Sequence, residues 1–227
     1  MVMTTLIGME TKEGDVVLAS DLTRTRTDLK DQGDVIVKEH TQSGVQKYFK
    51  SEDDSLVIGM TGVADPAYFD LLHAMIDGKI NFKDAVRKGF FDELNKTNMQ
   101  RWGYRAPSNE NNALLVGLRD SGETGLFLCY PLGHIERVNW RSIGSGSQHA
   151  SEYVASHGMN TPPYLSTSDS IDMAVNSIDA AARDIYTGGL DLVVIRPDGI
   201  TNPGEKIRAD VRRASQRSLK QVMKQYE

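Results

Sequence analysis

A threonine at position 4 precedes a short apolar stretch, Leu6-Ile7-Gly8-Met9. If Met1-Val2-Met3 are removed, Thr4 carries a hydroxyl nucleophile and a free α-amine on one residue. Such an amine has a reference pKa of about 7.7–8.0, so near neutral pH it is a weak base placed to take the hydroxyl proton. A hydroxyl is a poor nucleophile without such a base. An isolated threonine near a chain end is ordinarily a surface residue, so other segments decide how Thr4 is read.

Several segments carry residues that could serve such a site. Asp21 ends Leu18-Ala19-Ser20-Asp21, and Lys47 sits in Gln46-Lys47-Tyr48-Phe49. Gly62 follows the apolar run that ends at Met60, and Ser145 lies in Gly144-Ser145-Gly146-Ser147. Asp184 and Thr187 share the block Arg183-Asp184-Ile185-Tyr186-Thr187-Gly188-Gly189. Taken singly, each has an ordinary reading: a strand-end turn for Asp21, a solvated lysine, a glycine needed for backbone geometry, a turn serine, a salt-bridging helix aspartate.

Other chemistries lack their residues. There is no P-loop, dinucleotide-binding glycine pattern or H-E-x-x-H metal motif. The five histidines, His40, His73, His134, His149 and His157, have no metal-ligand spacing. Gly144-Ser145-Gly146 is not a G-x-S-x-G elbow, which argues against a serine hydrolase built on Ser145 and His149. No metal or organic cofactor is expected.

The elements that must position these residues follow from periodicity and turn residues. Leu6 to Met9 and Val16 to Ala19 read as strands joined by the turn Lys12-Glu13-Gly14-Asp15. A polar stretch runs from Thr23 to Gly44, broken by Val35-Ile36-Val37. Gln46 to Phe49 and Leu56 to Met60 read as strands. Asp65-Pro66 starts a helix ending near Gly78, and Asn81 caps a second. Ala113 to Leu118, Gly125 to Tyr130 and His134 to Trp140 form a meander. Gln148 to His157 is a short helix. Asp169 or Ser170 caps a longer one, with Ile171, Ala174, Val175, Ile178, Ala181, Ala182 and Ile185 on its apolar face. Leu192 to Ile195 is a buried strand, and a basic helix closes the chain from about Glu205. Helices come in consecutive pairs between strand runs. That order argues against a doubly wound sheet and suits two antiparallel sheets packed face to face, each with a helical layer outside. The absence of repeats and linkers predicts one domain over 1–227, with 1–3 as a short leader and 205–227 as the C-terminal helix.

Composition agrees. The 227 residues carry a net charge of −5, with 39% hydrophobic and 25% charged residues, an ordinary balance for a globular chain. There is no basic footprint for nucleic acid. The densest basic stretch, 205–224, includes Glu205 and Asp210 and reads as a solvated helix face. The single cysteine, Cys129, reads as a buried strand thiol in a reducing compartment. No stretch is apolar enough to span a membrane and no signal peptide is evident, so a cytoplasmic location is expected.

The combined pattern resembles the proteasome β-type subunits among the N-terminal-nucleophile hydrolases. The matching stretches are Thr4-Thr5-Leu6-Ile7-Gly8-Met9, Val16-Val17-Leu18-Ala19-Ser20-Asp21, Gln46-Lys47-Tyr48-Phe49, Gly59-Met60-Thr61-Gly62-Val63-Ala64-Asp65, Ile143-Gly144-Ser145-Gly146-Ser147 and Ala181 through Gly189. The resemblance implies an α+β four-layer αββα sandwich and a threonine-type peptidase, a hydrolase working inside a self-compartmentalising ring. It implies Thr4 as nucleophile, Lys47 as the ammonium that tunes it, and Asp21 as the carboxylate holding that lysine. It implies the Gly62 N–H as oxyanion donor, with Ser145, Asp184 and Thr187 around the threonine amine. Met60 and Thr25 fall at substrate-binding positions, and a methionine there suits large apolar side chains. Lys38 is the alternative lysine, because the stretch from Asp21 to Lys47 is longer than is usual for the family. Thr5 is the alternative nucleophile if the Gly14-Asp15 turn carries no extra residue. The implied partners are unfolded polypeptides or peptides as substrates, copies of the same chain in a homo-oligomeric ring, and an α-type ring or an unfolding ATPase. Two rival readings share the fold: a non-catalytic ring subunit that keeps its first three residues, and an amidase or peptide ligase using the same acyl chemistry.

Overall fold

Val16-Val17-Leu18-Ala19-Ser20 is buried at every position, which a strand achieves only when both faces of its sheet are covered. The computed structural model describes residues 5–22, 24–29, 37–42, 47–61, 73–79, 81–82, 114–130, 135–157, 165–182 and 190–202, without the side chains of 24–29 and 37–42. Two five-stranded antiparallel sheets and a separate hairpin make up its β structure. The first sheet has the order β10-β1-β2-β11-β12, from β1 (Thr5–Glu10), β2 (Val16–Ser20), β10 (Trp140–Gly144), β11 (Asp191–Arg196) and β12 (Gly199–Thr201). The second has the order β5-β6-β7-β8-β9, from β5 (Tyr48–Lys50), β6 (Leu56–Met60), β7 (Leu114–Asp120), β8 (Glu123–Cys129) and β9 (Ile135–Arg137).

Strand alternation sorts the apolar side chains into three layers. Leu6, Leu18, Tyr48, Val57, Leu115, Leu126 and their neighbours fill the space between the sheets. Ile7, Met9, Val17, Ala19, Leu192 and Val194 point the other way, onto two helices, α1 (Ser147–His157) and α2 (Thr167–Ala181). On the outer face of the second sheet, Leu56, Ile58, Leu114, Val116 and Cys129 pack with Met75 and Phe82. Met75 lies in a helical segment over 73–76, and Phe82 is also helical. The result is an αββα sandwich. Full burial of each such aliphatic side chain contributes about 1.5–3 kcal/mol, so the layers themselves supply the stability.

Gly117 shows how closely the sheets approach. A Cβ built there would run into Cδ1 of Ile195 on the opposing strand β11. Gly78 has φ +66, a left-handed conformation that ends the helical segment over 73–76, where the sequence placed that stop. Cys129 is fully buried in β8 as expected, and burial pushes its thiol pKa strongly upward.

Three local expectations are corrected. The polar stretch from Thr23 to Gly44 contains a hairpin, β3 (Arg24–Leu29) paired with β4 (Val37–Gln42) in a two-stranded sheet. The single strand expected from His134 to Trp140 is two. β9 pairs with β8 and β10 with β1, so the chain crosses between sheets at Val138 and Asn139. The crossing is pinned where the Val138 N–H donates to the Leu126 carbonyl and the Glu10 N–H to the Asn139 carbonyl. Finally, α2 is capped by Ser166, not by Asp169 or Ser170. The Ser166 hydroxyl accepts from the Asp169 N–H at 3.1 Å and donates to the Asp169 carboxylate at 2.6 Å, a reciprocal cap that starts the helix earlier. The apolar face also differs in part: Ala174, Ile178 and Ala181 are buried, Ile171 and Val175 half-buried, and Ala182 exposed. Ile185, the helix expected from Asn81 beyond Phe82, and the C-terminal helix expected at 205–227 lie outside the described residues. Among the described residues, no helix is long and apolar enough to cross a membrane.

Candidate functional site

Four strand ends of the first sheet meet at one edge. Thr5 opens β1 and pairs with Gly144, the last residue of β10. Leu6 pairs with Ser20, the last residue of β2, and Ser20 pairs on its other side with Asp191, the first residue of β11. Asp21 follows directly. The antiparallel order brings these residues, far apart in sequence, to the same end of three adjacent strand pairs.

Thr5 is fully buried and bonded at three atoms. Its N–H donates to Oδ1 of Asp21 at 2.8 Å, and its carbonyl accepts from the Asp21 N–H at 3.1 Å. Its hydroxyl accepts from the Gly146 N–H at 3.0 Å. Asp21, also 0% exposed, is therefore fixed within one residue of Thr4. Ser145 is exposed in the turn between Gly144 and Gly146, beside the same strand end. That turn needs Gly144, whose φ of +98 is costly for a residue with a Cβ.

The second sheet contributes from across the core. Lys47 immediately precedes β5 and is only 5% exposed. A lysine is seldom so buried without a counter-charge. The next residue, Tyr48, packs between the sheets, and burial pushes its phenol pKa well above the ordinary tyrosine range. The Asp191 and Asp21 carboxylates push it in the same direction, while the nearby Ser20 hydroxyl opposes them. Among the described residues, neither hydroxyl has a hydrogen-bond partner. Tyr48, Ser20 and Asp191 were not singled out from sequence. A buried tyrosine in a strand has no spacing that marks it, and only the pairing of the sheets brings it towards Asp21.

Of the other expected site residues, Met60 ends β6, pairs with Leu114 and is half-buried against the outer apolar layer of the second sheet. Thr25 lies in β3 opposite Thr41, and Lys38, the alternative lysine, lies in β4 opposite Asp28. Thr4, Gly62, Asp184 and Thr187 lie outside the described residues. The structure thus gathers Asp21, the Ser145 turn and Thr5 at one strand edge, and brings Tyr48, next to Lys47, within the field of Asp21. Among the described residues, no group of His, Cys, Asp or Glu converges as a metal centre. His149 sits 3.6 Å from Glu152, and His157 stacks on Tyr153.

A family model described as a proteasome subunit matches residues 77–195, just over half the chain. Comparison with curated proteins returned no match.

Proposed function

The chain belongs to the proteasome subunit family, and we propose that it is a catalytic, β-type member: a threonine peptidase whose nucleophile is Thr4, exposed by loss of residues 1–3. The observation that carries the reading is the placement of Asp21. A buried carboxylate is bonded to the N–H of Thr5, the residue after the proposed nucleophile, and Lys47, just ahead of β5 in the opposing sheet, is buried.

The proposed chemistry needs only this chain. The free Thr4 amine takes the hydroxyl proton as Oγ attacks the peptide carbonyl. The Gly62 N–H stabilises the oxyanion, a term that usually dominates acyl-transfer catalysis. The amine passes its proton to the departing peptide amine, leaving an ester on Thr4. Water, deprotonated by the same amine, attacks the ester and restores the enzyme. The Lys47 ammonium favours the neutral amine, the form that acts as base, and Asp21 offsets the lysine's charge. Ser145, Asp184 and Thr187 surround the amine, and Met60 and Thr25 contact substrate, with Met60 favouring cleavage after apolar residues.

The proposed setting is a single domain, 1–227, assembled with copies of itself into a cytoplasmic ring that receives unfolded polypeptide, through an α-type ring or an unfolding ATPase. Thr4→Ala tests the reading. Hydrolysis of fluorogenic peptides is expected to vanish while the oligomer, followed by size-exclusion chromatography, persists. Undiminished hydrolysis by the variant overturns it.

A further inference from the structure

A cavity of about 400 Å³ opens on the outer side of the second sheet, at the Leu56 end of β6 and so opposite to Met60. Leu56, Met75, Phe82 and Leu118, all from the outer apolar layer, give it an apolar floor. Its rim is acidic: Glu52 and Asp77 are exposed there and Asp120 is half-buried. Arg119, the cation among the described lining residues, donates to the backbone carbonyls of Asp53, Asp54 and Pro197. Even with Lys79 bridging Asp77 at 2.8 Å, the described lining stays acidic. An apolar floor inside an acidic rim suits apolar side chains carried on a basic segment.

This chain carries such a segment. Residues 203–227, outside the described residues, hold seven Lys and Arg against three Asp and Glu. That is +4 in a chain of net −5, so residues 1–202 carry −9. Within it Leu219, Val222, Met223 and Tyr226 recur at the i, i+3, i+4, i+7 spacing of one helix face, with Lys220 and Lys224 beside them. The segment also starts close by. Pro197, whose carbonyl Arg119 binds, precedes β12, and that three-residue strand covers only about 10 Å before the chain reaches Asn202. Seventeen further residues lead to Leu219, a reach of about 25 Å even when helical.

We infer that this cavity is the docking site of the chain's own C-terminal segment: Leu219, Val222, Met223 and Tyr226 cover the apolar floor, and Lys220 and Lys224 face the carboxylates of the rim. Tethering favours the segment of the same chain over that of a second copy, because a short link holds it near the cavity at a high effective concentration. The docked segment clasps the edge of the first sheet to the outer face of the second. The inference stands apart from the peptidase reading, since the cavity lies at the other end of β6 from Met60.

The test is zero-length cross-linking of the full chain with a water-soluble carbodiimide, which condenses a carboxylate with a lysine amine into an amide and leaves as its urea. Denaturing electrophoresis separates single chains from linked pairs, and mass spectrometry of the digested bands identifies the linked residues. The Lys50–Asp54 pair, 2.6 Å apart, controls for the chemistry. Links from Lys220 or Lys224 to Glu52, Asp77 or Asp120 are expected in the single-chain band. Met223→Glu, which alters only the docking segment and leaves the sheets untouched, is expected to lower their yield at least fivefold, on the order of the effect of losing one buried apolar side chain. Links found only in the two-chain band assign the segment to a second copy and overturn the proposal. Links only to acids elsewhere, such as Asp172 or Asp179 on α2, or no links from Lys220 and Lys224 at all, overturn it as well. A yield unchanged in Met223→Glu overturns the apolar docking.

Discussion

The N–H of Thr5 donates a 2.8 Å hydrogen bond to Oδ1 of Asp21 inside the first sheet. With its hydroxyl already accepting from Gly146, Thr5 is committed as a structural residue. That commitment favours Thr4 over Thr5 as the proposed nucleophile, because an N-terminal Thr5 would give up its amide bond and draw its hydroxyl away from Gly146. Thr5→Val should leave the Gly146 N–H buried and unpaired, costing about 1–3 kcal/mol, while Thr5→Ser should keep most of the stability. Urea unfolding checks this. Equal stability of the valine variant and wild type would contradict the assigned bond.

Lys47 and Lys38 separate by position in the fold. Lys47 is buried at the mouth of β5, whereas Lys38 sits in the separate β3–β4 hairpin. Lys47→Ala should lower kcat by roughly 10²-fold or more, in the range of acid–base effects, and Lys38→Ala should stay within about twofold. Steady-state peptide hydrolysis distinguishes them. Damage confined to Lys38→Ala would show that the lysine was wrongly assigned.

Gly117 has no room for a side chain. A Cβ there meets Ile195 and comes within 3.4 Å of Leu18. Gly117→Ala should destabilise the protein by about 1–3 kcal/mol through overpacking between the sheets. Gly117→Ala combined with Ile195→Val should recover part of the loss. Chemical denaturation of the pair measures both effects, and an unaffected Gly117→Ala protein would contradict the close sheet approach.

Asp53 carries a pH signature on the surface. The Ser51 and Ser55 hydroxyls and the Ser55 N–H all donate to it and lower its pKa from the ordinary 3.8 to about 2. Its folded pKa lies below its unfolded one, so its contribution is fully present above about pH 4 and disappears as pH falls through about 2. Ser55→Ala should move its titration, read by NMR, back towards the ordinary value. A titration that stays near 2 in the variant would contradict these bonds as the cause.

The sandwich was legible because its strands are written as dense apolar runs: Leu56-Val57-Ile58-Gly59-Met60 and Leu192-Val193-Val194-Ile195 sit where they were expected. The β3–β4 hairpin was not, because Arg24-Thr25-Arg26-Thr27-Asp28-Leu29 shows no apolar alternation. The β9–β10 crossing was hidden for a different reason. Two strands joined by two residues read as one, and only pairing to different sheets divides them. Asp21, Lys47 and Ser145 stood out by motif, and the structure gives Asp21 and the Ser145 turn their link to Thr5. Ser20 and Asp191 carried no local signal, because what joins them is strand register across distant segments, and Tyr48 carried none because its burial comes from the packing of one sheet on the other.

The most direct test of the account is the N-terminal residue of the purified, assembled protein, read by intact mass and N-terminal sequencing. The account predicts a chain beginning at Thr4 in the active protein, and retention of residues 1–3 in Thr4→Ala. A full-length N-terminus on protein that still hydrolyses peptides would contradict it, because Thr4 would then have no free amine to act as its base.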